Sequence, residues 1–247
     1  MNLALRAPAF LASVTSADEA SIACAGGADI IDAKNPETGA LGALPVATVA
    51  AIRAAVPRNV PVSATIGDLP FTPRPITAAV TSMAESGCDL IKIGIFPGGE
   101  ISETLAALQA IDLGPVKLVG LLLVDHSPDF AWIDAMAGAG FAGVMLDTAA
   151  KSQGSLRAYL DANSLARFIA AAHERNLFAG LAGSLRLSDV VPLTALAPDV
   201  LGFRGALCDA GVRTGTLDAA RVQAVRLELD RAMGARATGS IQEPALV

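Results

Sequence analysis

The sequence predicts an α/β protein, a single closed (β/α)8 TIM barrel, and three observations carry that expectation. Eight short apolar runs alternate strictly with eight helix-like segments, no linker-like break divides them, and the repeat fills a chain of 247 residues. Strict alternation implies parallel strands joined by right-handed crossovers, and eight units in this length favour closure into a barrel. An open doubly wound sheet is the competing architecture, but no G-x-G-x-x-G follows the first strand to support it.

The first strand is Phe10–Val14, and the helix Ser16–Ala25 opens on a cap-like serine and stops at Gly26-Gly27. Asp29–Lys34 is the second strand. Its helix, Pro45–Val56, has proline at its first position and ends before Pro57. Strands at Val60–Ile66, Leu90–Phe96 and Val116–Val124 lead into helices at Thr72–Glu85, Ser102–Ile111 and Pro128–Ala139. Gly143–Thr148, Leu177–Ala182 and Val200–Ala206 complete the strands, followed by helices at Ser164–Arg175, Ser188–Leu196 and Asp218–Met233. Residues 1–233 thus read as one barrel domain. The stretch 234–247, "GARATGSIQEPALV", has no apolar period and reads as a loose tail.

Composition narrows the class. A hydrophobic content of 53% with 17% charge indicates a well-filled core rather than disorder. The net charge of −6 and the lack of a basic stripe exclude nucleic acid as the expected partner. An anionic ligand would need local positive charge against that field. Cys24, Cys88 and Cys208 are far apart and read as small buried hydrophobes in a reduced compartment. Without a C-x-x-C, and with His126 and His173 as the only histidines, no structural zinc site is expected. The start, "MNLALRAPAFLASVTSA", has faint marks of a signal peptide, but Pro8 interrupts it and "FLASV" serves better as a strand. No apolar stretch reaches the ~18 residues that a membrane helix requires. The expected location is the cytoplasm, with no membrane partner.

Within the second strand, "DIIDAKNP" places Asp32 and Lys34 on the same face as Ile30. In a barrel, Lys34 falls at the C-terminal end of its strand, where reactive groups of this fold reside, ahead of the long turn "NPETGALGALP". Of 18 basic residues, 14 are arginine and four are lysine: Lys34, Lys92, Lys117 and Lys151. The helices carry arginine alone, whereas Lys34, Lys92 in "LIKIGIF" and Lys117 in "PVKLVGLLL" lie in or at the edge of strands. Lysine can lose its proton and form a Schiff base; arginine does neither. Lys117 opens its strand and so belongs to the stability face. Lys92 is either an ion paired structurally, with Asp32 as a candidate partner, or an amine of lowered pKa inside the mouth.

A second constellation is "MLDTAAK", in which Asp147 ends the sixth strand and Lys151 follows in the loop. Asp147 either caps the turn or shuttles protons beside a Schiff base. Loops after strands seven and eight form the usual phosphate cradle of this fold. Here they carry Gly183 and Ser184 in "LAGSL" and Arg204 and Gly205 in "GFRGALCDAG". Glycines permit close backbone approach, and Arg204 and Arg213 are suited to bidentate contacts with phosphate. Together these residues describe a Schiff-base lyase or aldolase for a small sugar phosphate.

The segments "GGADIIDAKNPETGALGA", "VSATIGDLP", "IKIGIF", "MLDTAAK", "LAGSL" and "GFRGALC" resemble the (5-formylfuran-3-yl)methyl phosphate synthase family, from about Leu11 to about Val225. The resemblance implies condensation of two glyceraldehyde 3-phosphate molecules to a furan aldehyde phosphate, with loss of one phosphate and water, for a methanofuran-type C1 carrier. It implies that Lys34 forms the Schiff base with Asp32 beside it, that Lys92 assists, and that Asp147 and Lys151 transfer protons. Gly183, Ser184, Arg204 and Gly205 would hold phosphate, and neither metal nor organic cofactor is needed. Barrels of this kind often assemble, so a homo-oligomer is expected. One segment departs from the family: where it has a Gly-Tyr-Ala-Asp stretch, this chain reads "LLLVDHSPDF", leaving Asp125 or His126 to replace the acid. Two other readings stand beside this one. Another class I aldolase or isomerase would use the same fold, and a barrel binding phosphorylated metabolites without turnover would need only charge.

Overall fold

Strands in this chain are short and buried on both faces, as parallel strands inside a ring of helices must be. A computed structural model describes residues 8–150 and 154–238. The strands are β1 (Ala9–Val14), β2 (Ile30–Ala33), β3 (Val62–Thr65), β4 (Leu90–Ile95), β5 (Lys117–Leu123), β6 (Gly143–Asp147), β7 (Phe178–Leu181) and β8 (Val200–Phe203). Each pairs in parallel with the next and β8 closes onto β1, giving the expected (β/α)8 barrel. The helices are α1 (Ala17–Ala25), α2 (Val46–Ala55), α3 (Pro73–Ala84), α4 (Ile101–Gln109), α5 (Trp132–Gly138), α6 (Ala162–Glu174), α7 (Val190–Thr194) and α8 (Ala219–Ala237).

Local chemistry explains where these bounds differ from the sequence expectation. Asp161 accepts the Ser164 N–H at 2.8 Å, so α6 starts two residues before Ser164. Asp129 turns its carboxylate onto the Ala131 N–H and Ser127 is left-handed, which delays α5 until Trp132. The helix α8 continues past Met233 to Ala237.

Two apolar layers follow from the period-two alternation. Ile31, Ala33, Ile91 and Ile93 face the helices, whereas Leu11, Ile30, Leu90 and Met145 fill the barrel. At the N-terminal end, the residue before three of the four even strands is an aspartate with one repeated duty. The carboxylates of Asp29, Asp89 and Asp199 accept the N–H of Phe10, Val62 and Ala179 at 2.7–2.8 Å. Each also meets a side chain from a helix: Arg226, Arg53 and His173, respectively. Ala142 takes this place before β6; its N–H still reaches the Leu118 carbonyl at 2.8 Å. These clasps fix strand register at the end remote from the mouth.

At the mouth, the β2–α2 loop folds inward over the barrel. Leu41 is fully buried among the interior residues. Asp68, beyond β3, accepts the Ala40 and Leu41 N–H groups at 2.8 and 2.7 Å, and Thr65 donates to the Gly42 carbonyl at 2.8 Å. The loop that follows Lys34 is therefore anchored to β3 on its far side. No described helix is long and apolar enough to cross a membrane.

Candidate active site

Because β2 alternates, Asp32 points into the barrel and Lys34 rises at its rim. The Lys34 N–H still pairs with the Val14 carbonyl at 3.0 Å, which holds its side chain in the strand's register. Its Nζ lies 3.2 Å from Oδ2 of Asp147, at the end of β6 across the mouth. The other oxygen of Asp147 accepts the Thr148 N–H at 2.7 Å. Lys92, midway along β4, brings its Nζ to 2.6 Å from Oδ1 of Asp32. Ser13 and Ser63, the register partners of Asp32 on both sides, donate their hydroxyls to it at 2.8 and 2.7 Å. The result is two lysine–carboxylate pairs at the heart of the mouth. Lys34, Lys92, Asp32 and Asp147 are 8%, 3%, 1% and 4% exposed.

Charges this deep are costly unless compensated. For Asp32, burial acts to raise the carboxyl pKa, but the charges of Lys92 and Lys34 and the bonds from Lys92 and Ser63 prevail and hold it below the ordinary range. For Lys92, burial dominates, and the Lys34 charge adds to it. Together they lower the amine below the usual lysine value despite the pull of Asp32. The barrel thus keeps one acid firmly ionised beside an amine that gives up its proton more readily than a solvated one.

These four side chains line one wall of a cavity of about 480 Å³. Leu11, Leu121 and Met145 contribute apolar surface, and Ala182 and Gly202 leave space below the loops after β7 and β8. A Cβ on Gly202 would sit 3.2 Å from that of Ala182 and 3.5 Å from Leu11, crowding that wall. Gly183, Ser184, Gly205 and Arg213 border the same cavity, so the loops after β7 and β8 reach the space that Lys34 and Lys92 line. Gly183 is left-handed at φ 106°, and a Cβ there would come within 2.9 Å of the Thr148 methyl. The Leu156 N–H ties the Gly183 carbonyl at 2.9 Å, so the β6–α6 loop braces this turn.

Other expected residues have different surroundings. Arg204 borders the cavity, but its five N–H donors are taken by Glu19, which accepts two, and by the carbonyls of Ser13, Arg213 and Gly215. Asp125 spends its carboxylate on the Ala149 and Ala150 N–H groups, clamping the loop after β6. Burial would raise its pKa, but these backbone bonds and His126 hold it low. His126 is exposed and packs edge-on against Phe96 with ring centres 6.2 Å apart. Neither Asp125 nor His126 borders the cavity. Lys117 is exposed at the opening of β5, at the barrel's opposite end. Lys151 lies outside the described residues.

Ser13, Ser63 and Glu19 escaped the sequence reading. The two serines left a signal, being polar residues at inward positions of strands that flank Asp32. Glu19 looked like any first-turn acid. Among the described residues, no group of three or more histidines, cysteines or acids is placed to hold a metal ion.

Buried amines and acids at the C-terminal mouth of eight parallel strands place the chain among the (β/α)8-barrel enzymes, which carry their chemistry at that end. Its kinship is narrower than its fold. Residues 10–226 match the family model described as 4-HFC-P synthase, and the chain belongs to that family. A Methylorubrum extorquens protein, provisionally described as a (5-formylfuran-3-yl)methyl phosphate synthase, is 44% identical over 87% of this chain and 89% of its own length. The (5-formylfuran-3-yl)methyl phosphate synthases of Methanosarcina mazei and Methanocaldococcus jannaschii are each 34% identical, over 80% and 84% of this chain and 89% and 94% of theirs. Among solved structures, phosphoribosyl anthranilate isomerase from Thermus thermophilus superposes with a TM-score of 0.66 at 17% identity, covering 90% of this chain and 98% of that one. A 3-hexulose-6-phosphate synthase gives 0.62 at 18% identity, covering 91% and 99%. Both likenesses concern the barrel alone.

Proposed function

We propose that this enzyme condenses two molecules of glyceraldehyde 3-phosphate into (5-formylfuran-3-yl)methyl phosphate through a Schiff base on Lys34, acting as a carbon–oxygen lyase on phosphates. The product would serve a methanofuran-type C1 carrier. Family membership supports the product, and one observation carries the chemistry: the Lys34 amine stands 3.2 Å from Asp147 over a cavity that also receives the glycine loops after β7 and β8.

In this reading the Lys34 amine, once neutral, attacks the aldehyde carbon of one triose, and the carbinolamine loses water to form an iminium. Asp147 accepts the ammonium proton and returns one to the departing hydroxyl. The iminium draws electrons from the adjacent carbon, so a proton leaves there and an enamine forms. The enamine first expels phosphate from its β-carbon, which restores the iminium and leaves an enol. The former phosphate-bearing carbon of that enol then attacks the C2 carbonyl of the second triose, tautomerised to its ketone, and forms the carbon–carbon bond. Ring closure and hydrolysis of the imine free Lys34; in balance, two triose phosphates lose one phosphate and two waters. Asp32 keeps a fixed negative charge beside the imine with Lys92 as its paired amine, and Lys151, four residues after Asp147 in the sequence, joins the proton transfers. Gly183, Ser184, Gly205 and Arg213 hold phosphate.

Incubation with glyceraldehyde 3-phosphate should yield a furan chromophore and one inorganic phosphate per furan. Lys34→Arg should fold normally and lose at least about a thousandfold in kcat, since a guanidinium cannot form the imine. Phosphate release without a furan, or near-normal turnover by the variant, would refute the assignment.

A further inference from the structure

Arg204 sits at the rim of the cavity, yet its guanidinium turns away from it into a buried ion pair. Glu19, in the first turn of α1, accepts from Nη1 at 2.6 Å and from Nη2 at 3.2 Å. The same carboxylate accepts the Thr15 N–H and hydroxyl at 2.8 and 3.0 Å and the Leu217 N–H at 3.1 Å. Burial would raise the Glu19 pKa, but Arg204 and Thr15 hold it low, so the pair stays charged. Arg204 passes this anchorage on: Nε donates to the Arg213 carbonyl at 2.8 Å, and Nη2 to the Gly215 carbonyl at 2.7 Å. The segment from Gly205 to Leu217 is thereby tied to the β1–α1 turn at both of its ends. On that segment, Arg213 lines the cavity and donates to the Gly39 carbonyl at 3.1 Å, in the loop that follows Lys34.

Resting on the triose-phosphate chemistry above, we propose that Glu19 and Arg204 are positioning residues that act through Arg213: they fix the β8–α8 loop so that Arg213, not Arg204, supplies the cation to substrate phosphate. A guanidinium with five satisfied donors would have to break a charged pair to serve a ligand, whereas Arg213 has a neighbouring carbonyl to exchange for a phosphate oxygen. The pinned Arg213 carbonyl also fixes the starting point of that side chain.

Electrostatics makes the proposal separable from its rival. Were Arg204 the ligand, deleting the Glu19 charge would release it and remove a nearby negative charge, so anions would bind more tightly. A positioning pair gives the opposite sign. Inorganic phosphate should be titrated calorimetrically into the full-length protein and into Glu19→Gln, Thr15→Val, Arg213→Ala and the Glu19→Gln/Arg213→Ala double variant. We expect Glu19→Gln to weaken phosphate binding about tenfold, the equivalent of one charge-assisted contact. In steady state, KM for glyceraldehyde 3-phosphate should rise similarly while kcat stays within about twofold. With Arg213 already alanine, Glu19→Gln should bring no further loss. Thr15→Val removes one of five bonds to the carboxylate and should shift affinity the same way by about threefold, which keeps the test open if Glu19→Gln folds poorly. Tighter or unchanged binding, full additivity with Arg213→Ala, or no phosphate binding by the parent protein would overturn the proposal. Furan formation by the parent is measured separately, so failure of the synthase reading would appear as missing product, independently of the phosphate series.

Discussion

Asp32 is the residue whose surroundings decide what the buried charges can do. Three donors converge on it, from Ser13, Ser63 and Lys92, and they leave it a fixed anion rather than a mobile proton carrier. Removing that anion leaves the buried Lys92 without its carboxylate partner. Asp32→Asn should therefore destabilise the fold by about 3–5 kcal/mol, and adding Lys92→Met should recover much of the loss, because both charges then vanish together. Urea unfolding of the single and double variants tests this; equal stabilities for parent and Asp32→Asn would disprove it. The pH dependence follows from the lowered pKa. As pH drops below the ordinary value of 3.8, the unfolded chain takes up a proton that the folded chain still refuses. The contribution of Asp32 is thus present above that value and drains away as pH falls through the folded pKa; Asp32→Asn should lack this part of the acid limb. Sequence alone made Asp32, Lys34, Lys92 and Asp147 conspicuous, since charges in strands need a reason. It could not tell Arg204 from Arg213, because both are arginines in one loop and only the partner Glu19, 185 residues away, separates their roles.

At the scale of elements, the proposed phosphate site depends on backbone shape as well as on side chains. Gly183 turns the chain after β7 with a positive φ, close against Thr148 of the β6 loop. A methyl there meets both a disfavoured backbone region and a 2.9 Å contact. Gly183→Ala should raise KM for the phosphorylated substrate about tenfold or more, with a stability loss of about 1–2 kcal/mol; an unchanged KM would remove this turn from the binding site. The order and type of elements were legible because hydrophobic period and turn residues agree along the chain. Helix starts were less so: Asp161 and Ser164 are both good caps, and the choice between them depends on which side chain reaches the N–H. The clasps of Asp29, Asp89 and Asp199 were also readable in principle, as an aspartate recurring immediately before an apolar strand. What the spacing does not reveal is that each also meets a side chain from a helix, such as Arg53 for Asp89.

Over the whole molecule, the two ends of the barrel divide the work. Aspartate clasps at the N-terminal end set register, and this frees the mouth to hold amines, acids and strained turns that contribute chemistry. The chain as a whole is anionic, at −6, so the proposed attraction for phosphate has to come from the cavity's own lysines, arginine and backbone N–H groups. An imine at Lys34 is the central claim, because the other assignments at the mouth serve it. The most direct measurement is reductive trapping: the full-length protein is incubated with glyceraldehyde 3-phosphate and borohydride, digested, and mapped by peptide mass spectrometry. A reduced triose adduct on the peptide carrying Lys34, absent from Lys34→Arg, is the expected result. Trapping confined to Lys92 or Lys151, or furan formation at full rate with no trapped adduct, would contradict it.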